Sequence, residues 1–161
     1  LPVLHYRALL HGIQAPRYWE LGENESSFRF NNYLSRFHWR HLDLMDVLSA
    51  WQGRSRASLN DIATLLGFPG KLGFGGDQVW DTWLRGDIQA IRDYCETDVM
   101  NTYLIWLRFQ FMRGHLDQQG LADEQARVQR FLEASAASHW RAFAAAWEKG
   151  PPIASPPATG T

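Results

Sequence analysis

The run from Ile88 to Arg113 constrains this chain more than any other segment. Gly86 breaks the preceding pattern, Asp87 is a capping residue, and apolar side chains then recur at helical spacing. Ile91, Cys95, Val99, Leu104, Leu107 and Phe111 form the expected apolar face of one long helix. Tyr94 and Asp98 lie on that helix four residues apart, which puts a phenol and a carboxylate on one face, one turn from each other. The pairing suits phosphodiester hydrolysis. A carboxylate can hold Mg²⁺, and a phenol beside it can orient the attacking water. The spacing is also met by any half-buried tyrosine next to a solvated acid, so it needs support from the rest of the chain.

The other segments read as mostly helical. Residues 2–11 form an amphipathic run that starts at Pro2 and stops at Gly12, the favoured places for proline and glycine at helix ends. Residues 13–40 are irregular, with a short extended piece expected near Phe28–Phe30. His41 to Leu48 begins with apolar–polar alternation and reads as a strand, near Leu42–Val47, leading into a turn of helix. Asp43 within it is expected to pair with an arginine or to cap a turn. Ser58 and Asp61 have the spacing of a capping box for a helix with Ile62, Leu65 and Leu66 on its apolar face. Pro69 to Gly76 is glycine-rich, but it lacks the Gly-Lys-Ser/Thr ending of a nucleotide loop and reads as a lid or linker, with Lys71 able to touch a phosphate. Asp77 to Arg85 reads as a short helix with Val79, Trp80 and Trp83 inward. Two Ala-rich helices follow, over residues 121–134 and 138–148. Residues 150–161 have the composition of a disordered tail.

The 161 residues carry a net charge of −1, which gives no overall basic signature for nucleic acid. The distribution is more informative. From Phe28 to Ser58, Arg29, Arg36, Arg40, Arg54 and Arg56 stand against Asp43 and Asp46, a net +3, and aromatic residues are interleaved with them. That pattern fits a groove that pairs with phosphates and stacks bases. Asn32, Tyr33 and Arg36 are the candidate nucleic-acid contacts, because an amide, a phenol and a guanidinium all reach phosphates or bases. The single cysteine, Cys95, gives neither a disulfide framework nor a cysteine zinc site. No apolar run approaches membrane-spanning length, and a cytoplasmic location with no membrane partner is the default expectation.

Several ordered segments converge on one group. They are Leu1-Pro2-Val3-Leu4-His5-Tyr6-Arg7-Ala8, His41 to Asp46, Leu65 to Lys71, Gly86-Asp87, and Tyr94-Cys95-Glu96-Thr97-Asp98. Together they resemble the predicted bacterial 3′–5′ exonucleases related to the proofreading domain of family-B DNA polymerases. The resemblance is strong over about residues 1–115. It implies an α/β, ribonuclease-H-like fold, of which residues 1–149 would be the C-terminal part: mostly α-helical, with about one core strand. The implied activity is metal-dependent removal of nucleoside 5′-monophosphates from a single-stranded 3′ end, DNA in preference to RNA. The implied cofactor is a pair of Mg²⁺ or Mn²⁺ ions. Tyr94 and Asp98 match the family's Tyr-x-x-x-Asp motif, with Asp98 a metal ligand and Tyr94 a positioner of water or phosphate.

The family's other two motifs, Asp-x-Glu and a second one ending in Asp, are absent from these residues. The second should end immediately before Leu1, where an Asp would also cap the Pro2 helix. The expectation is therefore a C-terminal part of an exonuclease that is inactive by itself, since one carboxylate cannot fix two cations. A competing reading is a non-catalytic nucleic-acid-binding or interaction module on a degenerate exonuclease fold.

Overall fold

The computed structural model describes residues 2–149, so the expectation of a disordered 150–161 tail lies outside the described residues. The chain divides after Gln52 into two compact units. Among the described residues every regular element is helical.

The first unit holds α1 (Pro2–His11), α2 (Pro16–Trp19) and α3 (Leu44–Leu48), with a long connection between the last two. Glu20 closes the turn after α2. Its carboxylate accepts from the backbone amides of Gly22, Glu23 and Asn24 and from the Asn24 side chain. These bonds, the Asn24 side chain foremost, hold its pKa at about 2. The extended piece expected near Phe28–Phe30 is instead a 3₁₀ turn, Ser26–Arg29. It lets Phe28 bury completely, with the Arg40 guanidinium 4.0 Å above its ring. The strand expected near Leu42–Val47 is also corrected, because that segment is α3. Asp43 is its cap and accepts from the amides of Met45 and Asp46. Four alternating residues are too weak a strand signal to outweigh two capping bonds and the helical hydrogen bonds that follow them.

The second unit is built around α6 (Ile88–Met112), capped by Asp87 as expected. It is flanked by α4 (Leu59–Leu65), α5 (Val79–Leu84), α7 (Gln118–Ala134) and α8 (Ser138–Glu148). The Ser58–Asp61 capping box starts α4. The core comprises Ala63, Phe68, Leu104, Ile105, Leu107, Phe109, Leu121, Val128, Leu132, Trp140 and Phe143.

Three expectations about faces fail here, and the first is Leu65, placed on the apolar face of α4 but exposed. Cys95 is exposed and Val99 is 68 % exposed, whereas Thr97 and Asn101 are buried. The N-terminal half of α6 therefore turns a polar stripe inward and leaves its apolar stripe on an open groove with Met100 and Trp140. On α5, Trp80 and Trp83 stack on each other in solvent, while Thr82 is the buried residue.

Candidate functional site

Tyr94 and Asp98 meet on one face of α6, and both are half-buried. The Asp98 carboxylate lies close enough to the Tyr94 phenol to act on it. Burial, and next the neighbouring Asp98, push the phenol up to about 12, with the charge of Asp77 adding to the effect. The phenol therefore stays protonated at neutral pH and remains a donor. Asp98, Tyr94 and Asp77 offer only oxygen atoms, the donor type that suits a hard divalent cation such as Mg²⁺.

The glycine-rich segment runs along this face. Asn101, one turn beyond Asp98, anchors one end of it. The Asn101 side chain accepts from the Gly70 amide at 3.2 Å and donates to the Gly70 carbonyl at 2.9 Å and to the Thr97 carbonyl at 3.1 Å. Gly70 has a φ of +63°, and a side chain there would press on Asn60, whose carbonyl oxygen holds the Lys71 amide. At the other end the Phe74 ring packs on Tyr94, centroids 5.0 Å apart. Asp77 folds its carboxylate back over Gly75, near the Lys71 ammonium. Asn101 and Asp77 were not among the expected site residues. The signal for Asn101 was available: an amide in the middle of a helix, four residues after Thr97, marks a second buried stripe.

Glu96, expected to be solvated, is instead paired. Arg92 donates to it at 2.7 Å and His139 approaches it at 2.8 Å. Both contacts lower its pKa, Arg92 more strongly. The other His139 nitrogen lies 3.4 Å from Asp93. The ligand atoms of Asp93, Glu96 and His139 lie within 4.8 Å of one another and could enclose a cation. However, each imidazole nitrogen already faces a carboxylate, and imidazole is a poor partner for Mg²⁺. The set serves as a clamp that joins α8 to α6.

Asn32, Tyr33 and Arg36 share one loop of the first unit. Asn32 is buried and spends its side chain on that loop, donating to the Phe28 carbonyl and accepting from the Leu34 and Ser35 amides. Tyr33 stacks on Tyr18, centroids 5.7 Å apart. Tyr33 and Arg36 line a cleft of about 210 Å³ together with His41, Asp46 and Trp51. Arg36 donates to the Trp51 carbonyl, and the Trp51 indole donates back to the Arg36 carbonyl. These bonds help to hold Ala50 and Trp51 at φ of 50° and 59°, a costly conformation for two consecutive residues with side chains. Tyr94 and Asp98 belong to the other unit.

No helix among the described residues is long and apolar enough to cross a membrane. Neither the curated proteins nor the solved structures contain a match to this chain. A family described as a predicted 3′–5′ exonuclease related to the exonuclease domain of PolB matches residues 1–147. With that match covering nearly the whole chain, the protein belongs to this family of predicted 3′–5′ exonucleases.

Proposed function

We propose that this chain is the Tyr-x-x-x-Asp portion of a metal-dependent 3′–5′ exonuclease with a ribonuclease-H-like fold. The observation that carries the reading is the placing of Tyr94 and Asp98 one turn apart on one face of α6, within the family match. In the reaction, water attacks the phosphorus of the terminal phosphodiester and the P–O3′ bond breaks. The departing nucleotide keeps the phosphate as a 5′-monophosphate, and the O3′ of the shortened chain takes up a proton.

Asp98 would hold Mg²⁺ or Mn²⁺, which when bound supplies positive charge against the phosphate and promotes ionisation of water. Tyr94, kept protonated, donates to a phosphate oxygen or to the water and fixes its line of approach. Tyr33 and Arg36 are proposed to contact the nucleic acid, with Asn32 holding their loop in shape. A single-stranded 3′ end, DNA in preference to RNA, is the proposed substrate.

The test is hydrolysis of a 5′-labelled oligonucleotide by the complete protein. Asp98→Ala is expected to abolish it and Tyr94→Phe to slow it. Wild-type rate from Asp98→Ala would sink the assignment. A second reading, a binding module without catalysis, is favoured by the cleft that Tyr33 and Arg36 line with His41 and Trp51. It predicts oligonucleotide binding with no release of nucleotide.

A further inference from the structure

The geometry points to the cleft of the first unit as a subsite for one nucleobase that carries an exocyclic amino group, so that cytosine enters in preference to thymine. The inference rests on the reading above that Tyr33 and Arg36 contact nucleic acid, and adds what the cleft selects. At about 210 Å³ the cleft is smaller than the pockets that take drug-sized ligands, so it suits a single planar ring rather than a stretch of chain. Its walls supply both parts of base recognition. Tyr18, Tyr33 and Trp51 bring aromatic rings, and Asp43 and Asp46 bring carboxylates.

The aromatic wall is fixed before a ligand arrives. Tyr18 and Tyr33 stack with 17° between their planes. Trp51 is held from three directions. Its backbone amide donates to the Asp46 carbonyl at 2.7 Å, its indole donates to the Arg36 carbonyl, and the Phe37 ring packs on it at 5.3 Å. Among the described residues, Ala50 and Trp51 are the two with side chains that adopt a positive φ. Strained backbone of this kind persists where surrounding bonds over-determine it, and it clusters at ligand sites. Here the strained turn carries Trp51 back to the cleft wall. A preformed set of rings can take a base by stacking, whatever its identity.

The polar wall supplies the choice. A carboxylate accepts hydrogen bonds and donates none. Cytosine, adenine and guanine each present an amino group to such an acceptor, whereas thymine presents carbonyl oxygens. Asp43 uses one oxygen on the amides of Met45 and Asp46, which fixes the direction of its carboxylate. Asp46 lies in the first turn of the same short helix and lines the same cleft. Arg36 is the other charged group there. Rings with two carboxylates alone would suit an organic cation, and the guanidinium argues against that occupant. Arg36 donates one N–H to the Trp51 carbonyl, and a guanidinium has further donors for the phosphate attached to the base.

Two measurements on the full chain test this, both with a chelator present so that no strand is cut. In the first, labelled oligodeoxycytidine and oligodeoxythymidine of equal length are titrated and binding is read by fluorescence anisotropy. Oligodeoxycytidine is expected to bind about tenfold more tightly, and Asp46→Ala to remove most of that difference. The second measurement needs no variant to fold. Deoxycytidine and deoxythymidine 5′-monophosphates are titrated against the indole N–H resonance of Trp51 in the wild type. The first nucleotide is expected to move the resonance and the second to leave it still. Equal affinity for the two oligonucleotides, or a Trp51 resonance that ignores deoxycytidine monophosphate, would overturn the subsite, even if the complete protein hydrolyses DNA. A deoxycytidine preference without hydrolysis by the complete protein in Mg²⁺ would keep the subsite and overturn the nuclease reading.

Discussion

Asn101→Ala tests whether the glycine-rich segment is held as described. Asn101 is 1 % exposed, and its amide bonds both backbone groups of buried Gly70. Truncation leaves that N–H and C=O without partners, while the Thr97 carbonyl keeps its helical bond. Each orphaned buried group costs about 1–3 kcal/mol, partly relieved if water enters the space left by the amide. The expected loss is therefore about 3 kcal/mol, which at an ordinary urea slope moves the midpoint by about 1–2 M. The assay is equilibrium urea unfolding followed by tryptophan fluorescence. Thr102→Ala is the control, since its exposed hydroxyl bonds only the Asp98 backbone carbonyl, and it should cost well under 1 kcal/mol. Asn101→Asp sharpens the test. It keeps an acceptor for the Gly70 amide but points a carboxylate at two carbonyls, so it should cost at least as much as alanine. A loss below about 1 kcal/mol for Asn101→Ala, or a stable Asn101→Asp protein, would show that Gly70 is not anchored in this way.

Three further outcomes are expected. Leu107→Ala removes a side chain only 1 % exposed in the C-terminal half of α6 and should cost about 2–5 kcal/mol in the same urea assay; a smaller loss would mean that α6 is not the spine of the second unit. His139→Ala opens the clamp to Asp93 and Glu96, and should speed amide exchange along α8 more than along α7; equal exchange would refute the clamp. Glu20 has its pKa depressed to about 2 from an ordinary 4.5, so its support for the 21–24 turn is fully present above pH 4.5 and is lost as pH falls toward 2. Its carboxyl carbon resonance should titrate near 2, and a midpoint above 4 would contradict the four hydrogen bonds drawn to it.

Capping chemistry was the most legible part of the sequence, and face assignment the least. Asp87, Ser58 with Asp61, and Pro2 mark helix starts because their effect is local and complete within one turn. Asp43 is the instructive exception. The same local rule identified it as a possible cap, yet the apolar–polar alternation around it suggested a strand. The faces of α6 depend on what lies across from them. Hydrophobicity selected Ile91, Cys95 and Val99, but the glycine-rich segment needed a hydrogen-bonding partner, so Asn101 turned inward, with Thr97 one turn before it on the same face. Nothing in the spacing of apolar residues reports the need of a distant backbone carbonyl. The Tyr94–Asp98 pair was legible because its chemistry lies within one turn. The wall opposite it, Phe74 to Asp77, was not, because only the fold brings that segment alongside.

The inward polar stripe also explains how one helix can present chemistry while serving as the spine of its unit. From Leu104 onward α6 buries large apolar residues, and this half can supply most of the stability. From Asp93 to Asn101 it buries little apolar surface and carries polar groups on several sides: Asp93 and Glu96 to His139, Tyr94 to Asp98, and Asn101 to Gly70. Hydrogen bonds and ion pairs have directional requirements that hydrophobic packing lacks, so each fixes a particular neighbour at a particular height on the helix. The Asn101 bonds set the register of the glycine-rich segment, and that register places Gly76, rather than a larger residue, beside the Tyr94 hydroxyl. Shifting the loop by one residue in either direction would bring Gly75 or Asp77 to that position. Polar anchoring one turn away from the chemistry thus decides which residue of the segment lies beside the Tyr94 hydroxyl.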